Sequence, residues 1–171
     1  MFELKPLSED AVPDALKKAE RYRLLNEPRE AESICQDILS IDPGNEDALT
    51  TLILALTDQV SGDRAGPGTQ RIISEARRLV AQLPAEHDRA YYSGIIAERR
   101  AKARLELGGP RTGFIVYEGL REAMRFYEQA EALRPEDRVN AILRWNTCAR
   151  IIMNNSEIRP EDEERADPAI E

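Results

Sequence analysis

Three segments of this 171-residue chain end in a proline that follows the same spacing of small and apolar residues. Such residues stand 12, 8 and 5 positions before each proline. Steps of three and four residues place side chains on one face of an α-helix, and proline cannot continue a helix interior. The recurrence predicts an array of similar helical units. The three sets are Ala31, Cys35, Ile38 and Pro43; Ile72, Ala76, Leu79 and Pro84; and Ala123, Tyr127, Ala130 and Pro135.

The rest of the chain follows the same helical pattern. Apolar residues recur at three- and four-residue steps, and the alternation typical of β-strands is absent. Clusters of glycine and proline divide the sequence into seven stretches of ordinary helix length. An all-α fold is therefore predicted, with breaks at Pro43–Asn45, Gly62–Gly68, Pro84, Gly108–Gly113 and Pro135.

The register of these units resembles the tetratricopeptide repeat (TPR). That repeat has a period of about 34 residues, with a small residue and a tyrosine in its first helix and a closing proline after its second. Ala19, Tyr22 and Ala31 fit the first unit well. Ile72 and Leu56 depart from the pattern in the second unit.

The resemblance implies a TPR-like α-solenoid of three antiparallel helix pairs within residues 1–155. The closing prolines are 41 and 51 residues apart, and the excess over the repeat period matches two glycine-rich inserts. The segment Phe114–Tyr117 in the second insert is too apolar for a free loop, so it either packs onto the stack or extends the next helix. The predicted parts are repeats at about 12–45, 46–86 and 87–137, inserts at 61–69 and 108–119, and a capping helix at 138–154.

Charge is unevenly distributed along the chain, whose net charge is −8. Residues 71–111 hold nine basic and five acidic side chains, whereas residues 157–171 hold two and seven. The end of the chain also contains prolines and little to bury, so residues 156–171 are predicted to be a disordered acidic tail. Such a tail is either a solubilising end or a segment that folds over the basic middle and competes with an acidic partner.

In the TPR family the first helices of the pairs line a concave groove that holds a peptide or a partner helix. The resemblance makes Leu54, Tyr91 and Ile95 apolar anchors, and the alternative is a groove filled by the chain itself. A carboxylate clamp of one TPR subtype is missing at the matching positions, so an acidic chaperone tail is not the expected ligand. The full predicted lining is Leu16, Glu20 and Arg23; Thr50, Leu54 and Thr57; Tyr91, Ile95 and Glu98; and Ile142, Asn146 and Ala149.

A second, weaker candidate surface is the edge from which both inserts emerge. Arg64, Arg71 and Arg111 would lie there, and arginines with backbone amides before a helix suit an anion. Neither insert carries the Gly-Lys-Ser/Thr of a phosphate loop. Flexible inserts without a ligand are therefore the favoured interpretation.

Composition narrows the function classes. His87 is the only histidine, Cys35 and Cys148 fall on core-facing positions, and no paired carboxylates stand out, so no enzyme activity, metal or cofactor is expected. No long apolar segment or export signal is visible, which indicates a cytoplasmic protein with no membrane or small-molecule partner. We expect a module that binds a protein or peptide. The alternatives are head-to-tail self-association between the acidic first pair and the basic middle and, more remotely, nucleic-acid binding.

Overall fold

The computed structural model describes residues 2–60 and 68–161 and shows seven α-helices and no β-strand among them. The all-α prediction is confirmed. The last helix has the bounds predicted for it, and short 3-10 turns precede the first and last helices at Glu9–Ala11 and Pro135–Asp137. The helices are α1 (Val12–Leu24), α2 (Pro28–Ile41), α3 (Glu46–Asp58), α4 (Thr69–Val80), α5 (Glu86–Leu107), α6 (Thr112–Leu133) and α7 (Arg138–Asn154).

The helix ends follow from local chemistry. Pro28 opens α2 at a position whose N–H would have no intrahelical partner. The side chain of Asn45 caps α3 by accepting a hydrogen bond from the Ala48 amide at 2.9 Å. Gly108 and Gly109, with φ of 65° and 100°, end α5 in a backbone conformation that glycine adopts without strain.

Each helix packs against the next one along the chain, and α1 also contacts α3, which contacts α5. One apolar cluster contains residues of α1, α2, α3, α4 and α5, and a second contains residues of α5, α6 and α7. The α5–α6 contact is the most extensive. Within this contact, a Cβ at Gly94 would lie only 2.5 Å from the ring of Tyr127. This glycine therefore allows the two helices to approach.

The second insert, predicted at residues 108–119, is a connecting loop only in its first part. Only residues 108–111 connect α5 to α6, and Phe114–Tyr117 lie in the first turns of α6. The prediction that this apolar segment extends the next helix is confirmed. Both α5 and α6 have 22 residues, whereas α1 to α4 have 12 to 14, so the extra residues lengthen the hairpin. Most of the first insert lies outside the described residues.

The beginning of the acidic tail is folded, so the prediction of disorder is wrong for residues 156–161. We call residues 155–161 the strap. Its Ile158 is 4% exposed and belongs to the α5–α6–α7 cluster, and its Glu161 pairs with Arg111 at 2.5 Å. The apolar side chain supplies the burial that a purely acidic segment lacks. Residues 162–171 of the predicted tail lie outside the described residues.

Candidate partner-binding face

Several of the predicted lining residues on α3, α5 and α7 are partly exposed. Thr50 and Leu54 lie on α3, Tyr91 on α5 and Asn146 on α7. The other predicted lining positions on α1 and α7, Leu16, Glu20, Arg23, Ile142 and Ala149, are also partly or fully exposed.

Thr57, Ile95 and Glu98 do not line an open groove, and their predicted role is corrected. Their exposed fractions are 0%, 1% and 0%. The Thr57 hydroxyl donates to the Leu54 carbonyl at 2.9 Å, so its polar group is already satisfied within the helix. α5 packs against α3, α4 and α6, which explains why positions on several of its faces are covered.

The exposed residues on α3 and α5 meet around a pair of tyrosines. The rings of Tyr91 and Tyr92 are 5.3 Å apart in an edge-on arrangement, and Leu54 packs against the same cluster. The Thr50 side chain of α3 lies near the Tyr92 hydroxyl. The Arg144 guanidinium of α7 lies near the Tyr91 side chain. We call these five residues the tyrosine face.

Two members of the tyrosine face were not predicted as binding residues. Tyr92 adjoins Tyr91 in sequence, and this doublet was a usable signal because interfaces are enriched in tyrosine. Arg144 reaches the face from α7, and no local sequence pattern indicates that contact. Asn146 lies two residues further along α7 and is partly exposed.

A buried carboxylate lies below the tyrosine face. Glu98 accepts hydrogen bonds from the Tyr127 hydroxyl at 2.7 Å and from Arg144 at 3.3 Å, and it also pairs with Lys102. Burial raises the pKa of Glu98, but the hydrogen bonds from Lys102 and Tyr127 and the charges of Lys102 and Arg144 lower it below its usual value. The carboxylate therefore stays ionised and links α5, α6 and α7.

A second shared carboxylate links α1, α3 and α5. Asp58, on α3, pairs with Arg23 of α1 and Arg99 of α5, each at 3.0 Å. All three side chains are between 18% and 25% exposed. These partly buried pairs fix the relative positions of α1, α3 and α5 more firmly than exposed pairs do, because solvent screens them less.

Two clefts lie away from the tyrosine face. The larger one, about 1200 Å³, lies between α2 and α4 and is open, with Arg29, Glu32, Gln59 and Arg71 in its lining. The smaller one, about 430 Å³, lies between α4, α5 and α6 over Ile96. Size alone does not make either one a binding site. The tyrosine face differs from both clefts in its pair of tyrosines, which pack against the α5–α6–α7 cluster.

Among the described residues, no contact brings the arginines of the predicted insert edge together on one surface. Arg71 is exposed and lines the cleft between α2 and α4. Arg111 forms an ion pair with Glu161, and its guanidinium carbon lies 5.2 Å from the centre of the Phe114 ring. Arg64 lies outside the described residues.

The described part of the chain holds no group of three or more histidine, cysteine or acidic side chains placed to bind a metal. Within the same part, no helix combines the length and apolar character needed to cross a membrane. Cys35 and Cys148 are buried free thiols, and burial raises the pKa of each to about 12, which keeps them protonated and unreactive.

No protein-family model, curated protein or solved structure matches this chain.

Proposed function

We propose that this protein is an interaction module that binds a peptide or a segment of a partner protein at the tyrosine face. The observation that carries the proposal is the arrangement of Leu54, Tyr91 and Tyr92 as partly exposed side chains that pack against one apolar cluster. The TPR-like register supports it, because it assigns α1, α3, α5 and α7 to one concave side.

The chemistry of the face favours a ligand with both apolar and hydrogen-bonding groups. Tyrosine offers a large contact area with few rotatable bonds, so little conformational entropy is lost on binding. Leu54 adds an aliphatic contact, and Thr50 and Arg144 carry polar groups beside it. An extended peptide presents apolar side chains and free backbone groups together, and it is the ligand class that such a surface suits.

The ion pairs below the face support a preformed site. Glu98 ties α5 to α6 and α7, and Asp58 ties α3 to α1 and α5. A surface built on helices that are cross-linked in this way needs little rearrangement to bind. Binding free energy is then not spent on ordering the site.

A double substitution tests the proposal. Leu54→Ala with Tyr91→Ala removes the aliphatic and one aromatic contact, and we expect partner capture from the native lysate to fall at least 10-fold. The captured partner is then titrated against purified protein. The matched control is Tyr117→Ala with Leu133→Ala, which removes the same side-chain types from α6.

Helical circular dichroism must remain within a few per cent of the parent protein in both variants. Equal capture by the two double variants contradicts the proposal. Loss of capture by the control alone would move the contact surface to α6.

A second candidate function is self-association, and the apolar face of α7 favours it. Val139, Leu143 and Met153 are 62%, 58% and 80% exposed, and their spacing places them along one side of the helix. Sedimentation velocity at low and high salt distinguishes the candidates. A species that stays monomeric at both salt concentrations counts against assembly, and Leu143→Asp should dissociate any oligomer held by this face.

A further inference from the structure

The strap is seated on the hairpin by one buried side chain. Ile158 is 4% exposed and lies in the apolar cluster that also contains Val116 and Leu120 of α6. Neighbouring strap residues 155–157 and 159–161 are exposed. The backbone hydrogen bonds of the strap are local, from Asn155 to the Ile152 carbonyl and from Ile158 to the Asn155 carbonyl. The contact therefore resembles a short peptide bound through a single anchor.

The seat for this anchor depends on a glycine in the first turn of α6. A Cβ at Gly113 would lie 1.9 Å from the backbone oxygen of Glu157, a distance that no real contact reaches. Glycine is less favourable than alanine in a helix, so the helix alone gives no reason for it here. Its absent side chain is what allows the strap backbone to lie against α6.

A charged group completes the seat. Arg111 has φ of 56°, an uncommon value for a residue with a side chain, and its guanidinium lies over the Phe114 ring. The same guanidinium pairs with Glu161 at 2.5 Å. The seat thus recognises an aliphatic side chain followed three residues later by a carboxylate.

We infer that this seat is an interaction surface separate from the tyrosine face, and that the strap occupies it reversibly in the free protein. A partner segment with the same chemistry, an aliphatic residue and a carboxylate three positions later, binds there only when it displaces the strap. The chain thereby regulates access to its own hairpin. This inference does not depend on the proposed function, since the two surfaces share no residue.

The energetics allow exchange without unfolding. Burial of the isoleucine by itself corresponds to about a 10- to 150-fold preference for the bound state. The ion pair between Arg111 and Glu161 adds little, because both side chains are about 60% exposed (62% and 59%). Release of the strap leaves the contacts among α5, α6 and α7 in place.

The test uses the full chain carrying Ile158→Asp, which removes the anchor from its own strap. The probe is a synthetic peptide with the sequence of residues 154–161, followed through the backbone amide resonance of Gly113. We expect Ile158→Asp to shift this resonance and the peptide to return it toward its parent position at millimolar concentration. The parent chain should need at least 10-fold more peptide, because its own strap competes.

Three controls make the result specific. Met153→Asp places the same charge at an exposed position five residues earlier and should leave the Gly113 resonance unchanged. A peptide with aspartate in place of isoleucine should not bind. In the full chain carrying both Gly113→Ala and Ile158→Asp, the added Cβ should block binding of the peptide. Binding is then followed through the backbone amide resonance of Phe114.

An unchanged Gly113 resonance in Ile158→Asp would show that the strap is not seated, and the inference would be wrong. A peptide that acts no better than its aspartate version would also overturn it, because the seat would then accept no separate segment.

Discussion

Replacing Glu98 by glutamine tests whether the buried carboxylate holds the last three helices together. The substitution keeps the size and shape of the side chain and removes its charge. Tyr127 can still donate to the amide oxygen, but Lys102 and Arg144 lose their anionic partner. The change therefore isolates the electrostatic part of the interaction.

The magnitude follows from the burial of each partner. Removing one member of a fully buried ion pair costs about 3–5 kcal/mol. Lys102 and Arg144 are each 31% exposed and can regain water, which reduces that cost. We expect Glu98→Gln to lower the free energy of unfolding by about 2 kcal/mol at pH 7.

The effect should depend on pH with a definite sign. The pKa of Glu98 is lowered in the folded protein, so its contribution is fully present above the pKa of the unfolded chain, 4.5. It is lost as the pH falls through the lower folded value. The difference in the free energy of unfolding between the parent protein and Glu98→Gln should therefore stay at about 2 kcal/mol between pH 5.5 and 7. It should shrink below pH 4.5.

Urea unfolding measures both quantities, followed by circular dichroism and by fluorescence of Trp145, the only tryptophan in the chain. Trp145 lies on α7, so its signal reports the docking of that helix. Glu118→Gln, at an exposed position on α6, is the matched control and should change stability by less than about 0.5 kcal/mol. Equal stability of the two variants at pH 7 would refute the reasoning.

Other predictions concern packing, charge and thiol reactivity. Gly94→Ala should lower the free energy of unfolding in urea by about 1–3 kcal/mol, because its Cβ would lie 2.5 Å from a tyrosine ring; Gly68→Ala, which meets open space, should not. Asp58→Asn should cost about 1–2 kcal/mol in the same assay, since two arginines lose a shared carboxylate. Cys35 and Cys148 should react with a thiol reagent at pH 8 only after unfolding, and reaction in the native state would contradict their burial.

The sequence predicts the helices better than it predicts which of their faces are covered. Prolines and glycines mark the helix ends because their backbone constraints are local. Burial around α5 depends on three neighbouring helices, and the family register alone placed Ile95 and Glu98 in an open groove. The run Gly94–Ala97 did carry a signal, since a helix that is apolar on several faces is a buried one.

The remaining errors have a common physical origin in long-range contacts. Glu98 and Lys102 form a recognisable pair four residues apart, but nothing local shows that Tyr127 and Arg144 complete the network. Ile158 is one apolar residue in an acidic segment, and its burial depends on a glycine 45 positions earlier in the chain. Composition correctly identifies the segment as polar. It cannot show that one of its side chains is buried against α6.

The unequal lengths of the last two helices have a consequence for the shape of the edge that they form. At a rise of 1.5 Å per residue, α6 spans about 33 Å and α7 about 26 Å. The shorter helix leaves the opening turns of its longer neighbour uncovered, and the chain fills this step with seven irregular residues. The difference in length between the two adjacent helices thus creates a notch at the end of the pair. A notch can select the segment that enters it by shape, whereas two helices that end at the same level offer no such selection.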